Sequence, residues 1–122
     1  MAKATTSAKV YVSITGLRLK SPWHIFRFFR HAAPSLRQAR RAPGNLHTDV
    51  KTIDGVRHTI TVWEDEKAMR RFLYRGAHAR AIRAFAEIAD GKTFGFETTE
   101  VPDWDEVHAL WHAHGRSYET AV

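Results

Sequence analysis

Apolar residues recur along this chain with two different periods, and the switches between them lay out its elements. Over residues 9–17 the period is two: Val10, Val12 and Ile14 fall on one side of an extended strand and Tyr11, Ser13 and Thr15 on the other. Ser21-Pro22 then starts a helix, because a serine oxygen caps free backbone donors and proline's fixed φ suits the first helical position. Its apolar stripe is predicted at Pro22, Ile25, Phe26, Phe29, Ala32, Ala33 and Leu36, widened by Trp23 and Phe28, with a kink or restart at Pro34. Ala42-Pro43-Gly44-Asn45 punctuates the chain as a loop. Alternation resumes over residues 46–53 and 56–63, and the Asp54-Gly55 pair between them predicts a tight type I′ hairpin.

After Trp63 the period becomes helical. Glu64 or Asp65 is the expected N-cap, and Ala68, Met69, Phe72 and Leu73 follow at helical spacing as far as Gly76. A second helical piece over residues 77–89 carries His78, Ala81, Ile82, Phe85 and Ile88 or Ala89 inward, with Arg80, Arg83 and Glu87 outward. A fourth strand is predicted over residues 92–101, closed by Pro102, and a last short helix runs from Asp103 or Trp104 to His114. The order is β-α-β-β-α-β plus a C-terminal extra helix, an α+β chain of ferredoxin-like type with an antiparallel four-stranded sheet. Right-handed crossovers place both main helices on one face of that sheet. With Val10, Val12, Ile14, Ile60 and Val62 turned toward the helices, Tyr11, Ser13, Thr15, Arg57, Thr59, Thr61 and Trp63 remain on an open face. Hydroxyls mixed with Tyr and Trp there suit a ligand cavity, or a partly wet contact between two sheets. Residues 1–8 are expected to be a disordered lead-in to a single domain over residues 9–122.

Composition narrows the function classes. The chain has no cysteine, which excludes a disulfide framework, thiol catalysis and thiolate metal sites, and fits a cytoplasmic location. No apolar run approaches membrane-spanning length, and MAKATTSAKV has no secretory h-region, so no membrane partner is expected. Charge is unevenly spread: nine Lys or Arg and no acid precede Asp49, and ten basic residues face thirteen acids from there on, for a net +6. The basic residues fall mostly on helical stretches, which reads first as solvated helix faces. Nucleic-acid binding by this basic surface is the third of three readings of the chain.

Two groups of side chains carry candidate chemistry. His78 stands on an otherwise apolar helix face, where a neutral imidazole can serve as base or metal ligand, or be a hydrogen-bonded core residue. His108 and His112 are spaced i, i+4 with His114 beyond, but no acid or cysteine completes a ligand set, and no metal site is assigned. The sheet lacks the basic, glycine and aromatic pattern by which RNA-recognition domains of the same element order bind RNA. No Ser-His-Asp grouping, phosphate loop or dinucleotide fingerprint is present.

The third strand ending T-V-W-E-D, followed by A-M-R-R-F and then G-A-H-A-R-A-I, resembles the dimeric α+β barrel superfamily of antibiotic-biosynthesis-monooxygenase-like proteins, and within it the small bacterial proteins related to spheroidene monooxygenase. The resemblance implies a homodimer packed sheet against sheet, with a pocket between sheet and helices of each subunit. It implies Trp63 as a pocket wall and His78 as base or haem ligand, so the cofactor expected is haem or none. Two features depart from the haem-degrading branch: its ligating histidine lies one helical turn on, where Ile82 stands, and its first-strand asparagine is absent around Ser13 to Thr15. The reading that results is a monooxygenase acting on an apolar or aromatic small molecule, with His78 and Trp63 catalytic. Tyr11, Ser13, Thr15, Arg57, Thr59 and Thr61 would bind the substrate. The alternative is a non-catalytic dimeric small-ligand or haem-binding protein using the same pocket.

Overall fold

The computed structural model describes residues 4–117. Their elements are β1 (Ala4–Leu19), a 3-10 turn (Pro22–His24), α1 (Ile25–Arg41), β2 (Asn45–Ile53), β3 (Val56–Trp63), α2 (Glu66–Leu73), α3 (Gly76–Ile88), β4 (Ala89–Val101), α4 (Trp104–His114) and a two-residue β5 (Arg116–Ser117). The sheet order is β2-β3-β1-β4-β5 with every neighbouring pair antiparallel. This is the ferredoxin-like α+β arrangement that the period switches predict, with a short fifth strand added at the β4 edge. The expected lead-in over residues 1–8 is corrected from Ala4 onward, where β1 begins and pairs Ala4 with Val101 and Thr5 with Glu100. Residues 1–3 lie outside the described residues.

Local signals act where the sequence places them. Asp54 and Gly55 take φ of 50° and 76°, the left-handed pair that a type I′ hairpin needs and that Asp-Gly supplies cheaply. Asp65 Oδ1 accepts from Ala68 N at 2.8 Å to cap α2, and Asp103 Oδ1 accepts from Glu106 N at 3.1 Å to cap α4. Pro34 behaves differently. It sits within a continuous α1, and the carbonyl it leaves without an N–H donor belongs to exposed Arg30, where solvent can reach it.

The two sheet faces are covered in the opposite sense to the one expected. Val10, Val12, Ile14, Val56, Ile60 and Val62 form the main core, and the helix packed on them is α4, through Val107 and Trp111. The Trp111 ring lies directly on Gly16, where a Cβ would collide with it, and Trp111 Nε1 donates to Lys92 O at 2.8 Å. Trp104 Nε1 donates to Asp49 at 3.2 Å, and buried His58 bonds His108 at 2.7 Å. A face that the resemblance would give to a second sheet is thus closed by the chain's own last helix.

On the other face α1, α2 and α3 arch over the hydroxyl-bearing residues. Apolar contact is made mainly at its two ends. Trp63, Ala68, Met69, Phe72 and Ala39 cluster at one, and Leu17, Phe28, Ile88 and Ala89 at the other. Between them the helices stand off the sheet. The α1 stripe is rotated from the predicted one: Phe28, Ser35 and Ala39 are buried, while Trp23 and Phe26 are 87% and 85% exposed. A helix roofing a void has fewer sheet atoms to press on, so aromatic content is a poor guide to its phase.

Candidate functional site

The stand-off encloses a cavity of about 870 Å³. Its floor is the polar side of β1 and β3, with Tyr11, Ser13 and Thr15 facing Thr59 and Thr61. Phe28, Leu36 and Ala39 of α1 roof it, Met69 and Phe72 of α2 close one end, and His78, Ile82 and Phe85 of α3 form the side wall. Tyr11, Ser13, Thr15, Arg57, Thr59, Thr61 and His78 all line this one space. Trp63 does not. It is fully buried behind the cavity, tilted against Phe72 with ring centroids 5.1 Å apart, and its Nε1 donates to Thr61 Oγ1 at 2.8 Å. Its assignment as pocket wall and catalytic residue is corrected: Trp63 supports the wall by fixing Thr61.

His78 is held from three sides. Its backbone N–H donates to Gln38 Oε1 at 2.8 Å, its ring lies against Phe72 at 4.2 Å, and Leu73 O stands 3.1 Å from Nδ1. A carbonyl only accepts, so Nδ1 carries the proton and the Nε2 lone pair is left without a protein partner among the described residues. Burial pushes the imidazole below its ordinary pKa, against the opposing pull of the Leu73 carbonyl. The ring is therefore a neutral base at neutral pH.

The other polar groups are poised to donate. Burial, reinforced by Glu66, raises the Tyr11 phenol, which stays protonated. Its hydroxyl rests on Gly95, whose missing side chain leaves the room it occupies. Ser13, Thr15 and Thr59 have no hydrogen-bond partner for their hydroxyls among the described residues, so the floor offers a row of free donors and acceptors. A haem, which the resemblance allows, would find a neutral ring nitrogen at His78 and cations at Arg57 and Arg116, so the side chains fit an axial ligand and propionate partners.

Sequence reasoning missed several parts of this site. Gln38, which braces both His78 and Arg75 O, and Gly95 beneath Tyr11 carry no local signature. Arg116 reaches the cavity only because β5 pairs with Lys92 and Thr93, which no periodicity announces in two residues. His108 faces inward to His58 and lies away from the cavity wall.

No protein-family model matches the chain, and no curated protein matches it. Solved structures do. SnoaB, a cofactor-independent oxygenase from Streptomyces nogalater, matches with a TM-score of 0.61 at 18% identity, over 73% of this chain and 92% of that one. An antibiotic biosynthesis monooxygenase matches with a TM-score of 0.60 at 15% identity, over 75% and 99%. Rv0793 from Mycobacterium tuberculosis matches with a TM-score of 0.62 at 8% identity, over 77% and 98%. These identities speak for architecture, and the chain has the ferredoxin-like α+β fold of the antibiotic-biosynthesis monooxygenases.

Proposed function

We propose that this chain is a monooxygenase that oxidises an apolar or aromatic small molecule in the cavity between sheet and helices. The observation that carries the reading is the His78 ring, with Nδ1 bonded to Leu73 O and Nε2 without a partner among the described residues, on the wall of an apolar cavity floored by hydroxyls. The fold shared with a cofactor-independent oxygenase supports it.

The geometry suits a substrate with an acidic methylene flanked by rings and a carbonyl. His78 Nε2 takes one methylene proton, and Ser13, Thr15 or Thr59 donates to the oxygen on which the charge collects. The carbanion passes one electron to O2, and the two radicals combine at carbon to a hydroperoxide. Loss of water then leaves a carbonyl where the methylene stood. The balance is CH2 + O2 giving C=O + H2O, with the substrate as sole reductant.

Anthrone is a suitable probe, followed by oxygen uptake and quinone absorbance. Saturable turnover is expected, with His78→Ala lowering kcat by on the order of a hundredfold or more, the usual size of a general-base contribution. No turnover above the buffer rate, or an unchanged kcat in His78→Ala, would refute the assignment.

The same histidine supports a second reading, a haem-binding protein, because a carbonyl on Nδ1 with Nε2 free is the arrangement that readies an imidazole for iron. Titration with ferric haem decides it: a Soret band saturating at one haem per chain and lost in His78→Ala would favour this reading. A homodimer belongs to the proposal as well. With α4 on the apolar sheet face, it would form through another surface or by moving α4, and sedimentation of the full chain against one lacking residues 104–122 separates the two.

A further inference from the structure

The cavity is chemically lopsided. Among the described residues no aspartate or glutamate lines it, although the chain carries thirteen, while Lys51, Arg57 and Arg116 do. Both arginines lie toward the same end along the strand direction, on strands that β1 and β4 separate. Arg57 is paired with Leu17 across the β1–β3 ladder, and Arg116 with Thr93, which itself faces Thr15. His78 lies at the other end, against Phe72 and the Trp63 cluster. Arg70, the remaining arginine on the wall, is taken by Glu66 at 2.7 Å.

Arg57 is the informative one. Its guanidinium is centred 5.3 Å from the Phe28 ring and 5.4 Å from the Phe29 ring, is only partly exposed, and makes no ion pair among the described residues. Two aromatic faces hold the planar group in place and leave its N–H edge free, which is the preorganisation by which arginine takes a carboxylate with two parallel hydrogen bonds. A half-buried cation without an anion is costly, and a ligand anion would relieve that cost. Along β3 the four residue steps from Thr61 to Arg57 span roughly 13 Å, so the base and the cation meet opposite ends of one elongated ligand.

We propose that Arg57 anchors a carboxylate, so that the cavity selects an elongated aromatic acid whose reactive carbon is held at the His78 end. This rests on the functional reading above for the role of His78, and stands apart from it for the choice of ligand. The acid fixes the ligand's direction in the cavity, and the hydroxyl row between the two ends accepts ring substituents.

Binding of a matched fluorescent pair, 2-anthracenecarboxylate and the neutral 2-anthracenemethanol, tests the assignment without turnover. The acid is expected to bind on the order of tenfold more tightly, the scale of one charge-assisted bidentate contact in a partly wet site. Arg57→Leu should remove that preference while leaving the alcohol's affinity within about twofold, and Arg57→Lys should keep part of it. Added salt should weaken the acid alone. Equal affinities for the pair in the unaltered protein, a preference that survives in Arg57→Leu, or no binding of either probe up to its solubility limit would each overturn the proposal. The ratio in the unaltered protein needs no variant to fold. Oxidation of anthrone without any acid preference would leave the monooxygenase reading standing and this inference refuted. An acid preference that depends on Arg57, with no oxygen uptake, would do the reverse.

Discussion

Replacing Trp63 with alanine separates a supporting role from a catalytic one. The side chain is fully buried and packs with Phe72, Met69, Ala68 and Ala39, and its N–H is bonded to Thr61. A tryptophan buries about 150–250 Å². At ~25 cal/mol per Å² that is roughly 4–6 kcal/mol of transfer free energy, an upper figure because unfolded chains hide part of the same surface. Measured Trp→Ala changes in cores run at about 3–5 kcal/mol, and we expect this one in that range. For a chain of this size that corresponds to a fall in Tm of roughly 10–25 °C. Urea unfolding followed by circular dichroism gives the free energy directly, and ligand titration below the transition gives the affinity. Trp63→Phe keeps one aromatic ring but loses part of the buried indole and the bond to Thr61, for about 1–3 kcal/mol. Affinity for a cavity ligand should fall modestly in both variants, through loosening of Thr61, and further in the alanine one, where Phe72 also loses its neighbour. A stability loss below about 1 kcal/mol in Trp63→Ala, together with abolished binding, would refute the placement behind the wall.

Three further outcomes follow from named contacts. Gly16→Ala puts a Cβ into the Trp111 ring and should cost about 1–3 kcal/mol in urea unfolding, a cost that disappears in a Trp111→Ala background. Gly95→Ala drives the Tyr11 hydroxyl off its seat and should weaken cavity ligands in fluorescence titration while Tm moves little, because the group displaced is the far end of a side chain that can swing into the cavity. Burial lowers the pKa of both His58, where His108 lowers it further against the Thr15 carbonyl, and His78. Both rings are then neutral in the folded and unfolded chains above the ordinary value of 6.5, and below it the unfolded chain takes up protons that the folded one refuses. Stability should therefore be full above that pH and fall as the pH drops beneath it. His58→Asn should flatten the lower part of the profile of unfolding free energy against pH, and an unchanged slope would count against a buried neutral ring.

Much of this architecture is written in short-range pattern. The Asp54-Gly55 hairpin, the break between α2 and α3 at Gly76, the caps at Ser21 and Asp65, and the residues that share each strand face are all set by φ preferences, side-chain capping and the two-residue period of a strand. Those signals fix which side chains travel together. They do not fix what covers them. Val10, Val12 and Ile14 were bound to be buried, yet a short helix with Trp104 and Trp111 meets that demand as well as a long one, and the Gly16 hollow and the His58–His108 bond favour α4 through contacts between residues far apart in sequence.

That exchange of faces is what makes the candidate site. Had α1 and α3 taken the valine side, the hydroxyl side would have been an open sheet, and Ser13, Thr15 and Thr59 would have needed only water. Under the helices the same residues face a cavity, with the neutral His78 ring toward one end and the Arg57 cation toward the other. The site residues could be chosen from sequence because the alternation groups them whichever face is covered, whereas Trp63, last on the same strand face, could not be told from them. Only depth distinguishes it: at the end of β3, against Phe72 and under α2, the floor of the cavity has already become core.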